Sequence, residues 1–224
     1  DYELVNLVPI EFILDNEEKT MLPVGKSSKK VDLKAIMISS PKKQVIDVIE
    51  VIEKSGLQVV DIVLSGLADY YEVKNKNTED KLGAIINLGH ETTNVSIINN
   101  GVLTNTDVIK LGGINVEKDI AYVFGVSIFD ARTIKEKFAS SNKRFCSISE
   151  IYEVKNTVGE NLRLNQLEVS EVVMNRMEEI LNYAKKKILE LSKKNISYLI
   201  ITGGLTEIKS FKQLVFEFLG KDVI

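Results

Sequence analysis

The sequence predicts an α/β fold, and three features carry that prediction. Strand-like apolar runs alternate with amphipathic helical stretches along the 224 residues. Three strands follow in quick succession around an Asn100-Gly101 hairpin signal. Glycine pairs, Gly112-Gly113 and Gly203-Gly204, stand between a strand and the helix after it.

Glu3 to Leu14 alternates and is rich in Val, Ile and Phe, so it reads as a strand with a break at Pro9. Asp15-Asn16 opens a turn, and Val31 to Ser39 forms the next strand. A helix from Pro41 to Ser55 places Val45, Ile46, Val48, Ile49 and Ile52 on one face, and Gly56 ends it. Val59 to Leu64 reads as a buried strand, and Ser65 to Tyr71 as a short helix. A polar loop from Lys74 to Asp80 precedes strands at Gly83 to Leu88, Asn94 to Asn99 and Leu103 to Lys110. Helices are expected over Asn115 to Phe124 and from Asp130, as N-cap, to Phe138. Ser140 to Gln166 reads as polar and irregular. A long helix, Val169 to Ser192, leads to a buried strand, Tyr198 to Thr202, and a last helix, Lys209 to Leu219. Lys221 to Ile224 looks like the start of another strand, and the chain, which opens on Asp1, reads as a piece of a longer protein.

Composition narrows the function classes. The chain is 44% hydrophobic and 27% charged, ordinary values for a globular protein that buries about 70% of its unfolded surface. Net charge is −3 with signs interspersed, so no basic face points to nucleic acid. No run reaches the roughly 18 apolar residues that cross a bilayer, and no signal peptide is evident. The single cysteine, Cys146, has no intramolecular disulfide partner and fits a reducing compartment. One histidine, His90, gives no basis for a Cys/His zinc site or a Ser-His-Asp set.

Three segments carry binding chemistry. Asn87-Leu88-Gly89-His90-Glu91-Thr92-Thr93-Asn94 is a strand, a tight turn and a strand, whose backbone N–H groups and threonine hydroxyls can face an anion. Leu111-Gly112-Gly113 opens a helix. Thr202-Gly203-Gly204-Leu205 follows a buried strand, where a ligand can lie on bare backbone. Taken singly, each reads equally as an ordinary turn. Their order resembles the second half of the actin-like ATPase superfamily. The chain is more closely similar to the FtsA family of bacterial cell-division proteins. Val8-Pro9-Ile10-Glu11-Phe12-Ile13-Leu14-Asp15 and Leu22-Pro23-Val24-Gly25 resemble that family's inserted subdomain, and Gly112-Gly113 to Asp119-Ile120-Ala121 resembles its G-G-x-x-V-T-x-D-I-A, with Glu117 in place of Thr.

The resemblance implies a partial actin-like (ribonuclease H-like) fold with an inserted small α/β subdomain of the SHS2 type. It implies an inserted subdomain at 1–64, a connecting helix and loop at 65–82, a second-half core at 83–112 and 196–224, and a helical peripheral subdomain at 113–195. It also implies ATP, with magnesium, as ligand, and it assigns nucleotide contacts to Gly89, His90, Thr92, Thr93, Gly112, Gly113, Lys135, Gly203, Gly204 and Leu205. The family's D-I-G-G-G-T-T-D is altered here: Asn87 and Asn94 stand for aspartates, and His90 and Glu91 for glycines. Asn87 cannot accept a proton. A Glu91 carboxylate about 4 Å from a phosphate would be repelled by about 4 kcal/mol at an effective dielectric of about 20. Leu205 replaces a glycine of the adenosine turn, and Ala131-Arg132-Thr133-Ile134-Lys135 keeps the lysine of A-E-x-x-K but not its acid. ATP binding is therefore expected to be weakened, with no confident catalytic residue.

By position, the resemblance places a docking surface for the FtsZ carboxy-terminal peptide on the long helix, at Arg176, Glu179 and Asn182. The run Lys185 to Lys187 reads as a solvated face with potential for an acidic peptide. The implied function is a cell-division adaptor. It would tether FtsZ filaments to the inner membrane face at the septum through a tail absent here, self-associate into filaments or dimers, and meet later divisome proteins through the insertion. Two alternatives stand beside it: an active ATPase filament former, and a PilM-like protein of pilus assembly.

Overall fold

The computed structural model describes residues 1–15 and 18–219. The expected strand at Lys221 to Ile224 lies outside them, as does Asn16 of the first turn. The chain forms two compact units. One comprises Asp1–Val73 with Val102–Thr104, and the other Lys74–Gly101 with the chain from Asn105 onward.

The first unit is built on a three-stranded antiparallel sheet in the order β2-β1-β3, from β1 (Tyr2–Leu14), β2 (Glu18–Thr20) and β3 (Val31–Pro41). Pro9 does not break β1. It pairs with Ala35, and the ladder shifts register between Pro9 and Glu11, so the missing N–H is absorbed by an irregularity rather than a strand end. Helix α1 (Lys42–Lys54) starts after Pro41 and ends at Ser55, with Gly56 beyond it at φ +87°. The expected buried strand at Val59 to Leu64 does not form. Val60 is 89% exposed, and the segment joins no ladder. It runs extended because the Asn6 side chain donates to the Ile62 carbonyl at 2.8 Å and accepts from the Leu64 N–H at 3.1 Å, doing locally what a ladder would do. Helix α2 (Ser65–Val73) closes the unit.

The second unit has a four-stranded sheet in the order β6-β5-β4-β9, from β4 (Leu82–Leu88), β5 (Thr93–Asn99), β6 (Val102–Ile109) and β9 (Tyr198–Thr202). Strand β4 is antiparallel to β5 and parallel to β9. Asn100 and Gly101 between β5 and β6 both have positive φ, 48° and 78°, as a two-residue hairpin requires. Ala84, Ile86 and Leu88 of β4 and Val95 and Ile97 of β5 are buried in one core with residues of α3 (Gly113–Phe124), α4 (Ile128–Lys137) and α5 (Gln166–Ser192). Along α5, Val169, Val173, Met177, Ile180, Leu181, Ala184 and Ile188 recur at helical spacing and are all buried. Each such side chain contributes about 1.5–3 kcal/mol of transfer free energy. Asn165 caps α5, its side chain accepting from the Glu168 N–H at 2.9 Å.

Three further boundaries differ from expectation. The cap of α4 is Ser127, not Asp130: its hydroxyl accepts from the Asp130 N–H at 3.1 Å, and Asp130 sits in the first turn. Ser140 to Gln166 is not irregular throughout. It contains an antiparallel hairpin of β7 (Ile151–Lys155) and β8 (Asn161–Asn165). Tyr152 and Val154 pair with Leu164 and Leu162, while Glu153 faces Arg163 in a 3.4 Å ion pair, so a half-polar alternation hides a strand pair. Helix α6 (Phe211–Leu219) starts later than Lys209, because a 3-10 turn (Gly204–Glu207) and Ser210 at φ +68° intervene.

Candidate functional site

The β4–β5 turn, the start of α3, one face of α4 and the 3-10 turn after β9 meet at one pocket of about 210 Å³. The turn contributes Gly89 and His90, α3 contributes Gly113, α4 contributes Lys135 and Glu136, and the last turn contributes Gly204, Leu205, Glu207 and Ile208. Six of the residues expected to touch a nucleotide thus come together there: Gly89, His90, Gly113, Lys135, Gly204 and Leu205.

The other four, Thr92, Thr93, Gly112 and Gly203, do not line the pocket. A side-chain carbon on Gly112 would lie 2.6 Å from the His90 carbonyl oxygen, and one on Gly203 would lie 2.4 Å from that of Leu88. Gly203 also has φ +100°, which L side chains rarely adopt. These two glycines serve backbone packing between strand and turn. Thr93 is fully buried, and its hydroxyl donates to the Leu111 carbonyl at 2.9 Å, so it fastens β5 to the approach to α3. Thr92 holds the turn through its carbonyl, which accepts from the Gly89 N–H at 3.0 Å. Asn87 sits opposite Asn94 in the ladder and beside Thr202, and Glu91 is exposed on the turn.

Sequence reasoning missed the most heavily engaged group at the site. Glu117, on α3, is 0% exposed and accepts from Lys135 Nζ at 2.6 Å and from Arg132 Nε at 3.3 Å. Arg132 Nη2 lies 3.2 Å from His90 Nε2, and His90 Nδ1 lies 3.7 Å from the Glu117 carboxylate. A guanidinium only donates, so His90 Nε2 accepts and the imidazole proton sits on Nδ1. Burial alone would raise the Glu117 carboxyl pKa, but hydrogen bonds and charge from Lys135 and Arg132 outweigh it and hold the pKa below the usual range. The signal was present in the sequence as an acid at 117 and a new base at 132, but nothing local announces that the two helices meet.

A second concavity, a groove of about 280 Å³, lies between α3 and α5 and is lined by Asp119, Tyr122, Val123, Val172, Asn175, Arg176 and Glu179. Arg176 donates Nε to Asp119 Oδ2 at 2.5 Å and Nη2 to Asp119 Oδ1 at 2.9 Å, a two-pronged pair, and Nη1 to Glu179. These bonds, Asp119 first, hold its charge more firmly than burial weakens it. Arg176 and Glu179 are therefore brought together on the groove. Asn182 is exposed further along α5 and does not line it. Of the lysine run, Lys187 is paired with Asp107 at 2.9 Å and Glu190 at 3.0 Å.

Among the described residues no cluster of three or more His, Cys, Asp or Glu could hold a metal ion, and no helix is long and apolar enough to cross a membrane. The family model described as "Cell division protein FtsA" matches residues 84–223. The chain belongs to the FtsA family. The model of the type IV pilus assembly protein PilM matches residues 3–144, so the two overlap on the segment holding the β4–β5 turn. The FtsA of Escherichia coli K12 is 26% identical over 219 residues, which cover 93% of this chain and 52% of that protein. The chain spans about half the length of the curated relatives it matches. Solved structures with the actin-like fold superpose on it. MreB5 of Spiroplasma citri bound to ADP gives a TM-score of 0.65 at 16% identity, over 83% of this chain and 60% of that one. The PilM-PilN type IV pilus biogenesis complex gives 0.67 at 14% identity, over 99% of this chain and 55% of that one.

Proposed function

We propose that the chain is the nucleotide-facing and partner-facing portion of a cell-division adaptor that tethers FtsZ filaments to the inner face of the membrane at the septum. The observation that carries this reading is the α3–α5 groove. Asp119 holds Arg176 flat beside Glu179, and exposed Tyr122 and Val123 offer apolar contact alongside. Buried or half-buried arginine next to an aromatic is a common anchor for a peptide. Asn182, exposed three residues beyond Glu179, lies outside the groove lining and is the least supported of the three positions. The segment 1–64 acts as the inserted subdomain. Exposed Leu7 and Met37, paired across β1 and β3, supply an apolar contact for self-association or for later divisome proteins. The membrane is reached through a segment outside this chain.

The nucleotide role is subordinate. ATP and magnesium bind weakly, as a structural ligand, because Asn87 replaces an acid and because Thr93 is committed to Leu111. Turnover is not expected. The test is a titration of an FtsZ carboxy-terminal peptide into the protein, with Arg176→Glu as the comparison. Absence of binding at hundreds of micromolar, a weak affinity of about −5 kcal/mol, would sink the reading.

A second reading, a PilM-like role in pilus assembly, is favoured by the PilM model over residues 3–144 and by the 99% coverage in the superposition. It predicts binding of a PilN peptide in place of the FtsZ peptide.

A further inference from the structure

A polyphosphate is held by N–H groups and cations that have no competing partner. At this pocket the chain supplies those partners itself. The first amides of the twelve-residue helix α3 point at the turn: Gly113 N–H donates to the Gly89 carbonyl at 2.9 Å and Ile114 N–H to the His90 carbonyl at 2.8 Å. Gly112 N–H is taken by the Asn115 side chain at 3.0 Å. The cations are taken as well. Lys135, 8% exposed, and Arg132 both close on Glu117, which has no exposed surface, and Arg132 also donates to His90. Two cations, Lys135 and Arg132, meet the one Glu117 carboxylate, and Lys135 Nζ also lies 3.9 Å from Glu136, so with Glu207 the carboxylates in and behind the lining outnumber the cations.

What remains suits an uncharged ligand. Leu205 and Ile208 present apolar surface, Gly204 bares its backbone, and Glu136 and Glu207 can accept from hydroxyl or amino groups. At about 210 Å³ the cavity is smaller than the roughly 300 Å³ at which drug-sized sites begin. We propose that this pocket takes a nucleoside and rejects its polyphosphate form, and that buried Glu117 is the residue that sets the preference. This rests on reading the pocket as a nucleotide half-site. Glu117 acts as a built-in anion: it occupies the cations a phosphate would need.

The experiment is calorimetric titration of the protein with adenosine and with ATP, each with and without magnesium. The unmodified protein is expected to bind adenosine at least as tightly as ATP. Glu117→Gln keeps the shape, discharges the carboxylate and should shift the ratio toward ATP by about tenfold, roughly 1.4 kcal/mol, with adenosine affinity nearly unchanged. Because that variant leaves buried Lys135 and exposed Arg132 short of a partner, Glu207→Gln serves as a second arm. Glu207 is exposed and outside the Glu117 cluster, and its loss should shift the ratio the same way by about twofold to threefold. If ATP binds about tenfold more tightly than adenosine in the unmodified protein, or if both variants leave the ratio unmoved, the proposal is overturned while the nucleotide reading stands. If neither ligand binds, both fall.

Discussion

The two glycines after β9 look alike in sequence, but the structure gives them opposite roles, and paired alanine variants separate these. Gly203 sits at φ +100°, and a Cβ there would lie 2.4 Å from the Leu88 carbonyl oxygen and 2.7 Å from two further Leu88 backbone atoms. These are backbone atoms of the central strand, so no side-chain rotation relieves the overlap. The unfavourable backbone conformation, φ 100° and ψ 165°, costs about 1–3 kcal/mol, and the forced shift of β4 or the turn costs about 1–3 kcal/mol more. Gly203→Ala should therefore destabilise by about 2–6 kcal/mol, which lowers the melting temperature by about 4–24 °C for a chain of this size. Gly204 has no positive φ, and nothing lies within 4 Å of its would-be Cβ. Gly204→Ala should stay within about 0.5 kcal/mol of the unmodified protein. Thermal and urea unfolding of both variants without nucleotide is the assay. Equal losses in the two, or a Gly203→Ala change below about 0.5 kcal/mol, would refute the assignment of Gly203 to backbone packing.

The remaining predictions address the two concavities. Thr93→Val should cost about 1 kcal/mol in urea unfolding, because the Leu111 carbonyl loses its buried donor, and Thr93→Ser should recover most of it; nucleoside affinity should be unchanged in both. Arg176→Ala should change stability by less than about 1 kcal/mol, since the pair with Asp119 is partly solvated, yet weaken an FtsZ peptide about tenfold by titration. The Glu117 carboxyl pKa is depressed in the folded state, so its ion pairs contribute stability above the ordinary glutamate pKa, and that contribution fades as pH falls through the folded value. Urea midpoints should fall more steeply for the unmodified protein than for Glu117→Gln between about pH 6 and about pH 3. Parallel slopes would show that the Glu117 carboxyl pKa is not depressed on folding, and a slope of opposite sign that it is raised.

The features that were legible in the sequence are those whose signal is local. Asn100-Gly101 declares a hairpin because both residues must take positive φ, and they do. The spacing of Val169, Val172, Val173, Ile180, Leu181, Ile188 and Leu191 declares a helix face for the same kind of reason, and all but half-buried Val172 and Leu191 are buried. The misses are partly long-range and partly local. Val59 to Leu64 has strand composition, but its backbone is held by the Asn6 side chain, some 56 residues away in the chain. The β7–β8 hairpin was obscured because Glu153 and Arg163 on its open face dilute the apolar alternation of Tyr152, Val154, Leu162 and Leu164. At the site, Gly112, Gly203 and Thr93 resemble ligand-binding positions in sequence, yet each is explained by one close approach within the fold.

Glu117 shows why this matters for function. Read along the chain, the acid at 117 and the base at 132 are two unrelated departures from the family pattern. Read in space they are one feature, since the carboxylate has no exposed surface and reaches Arg132, Lys135 and the neighbourhood of His90 together. A buried carboxylate is tolerated only where cations meet it. The two changes support each other: Glu117 keeps Lys135 at 2.6 Å in any case, Arg132 adds a second cation to the buried carboxylate, and without Glu117 it would only add charge beside Lys135. The outcome is a surface in which α3, α4 and the β4–β5 turn are fastened to one another by charges of the chain itself, so the pocket keeps its shape with no ligand in place.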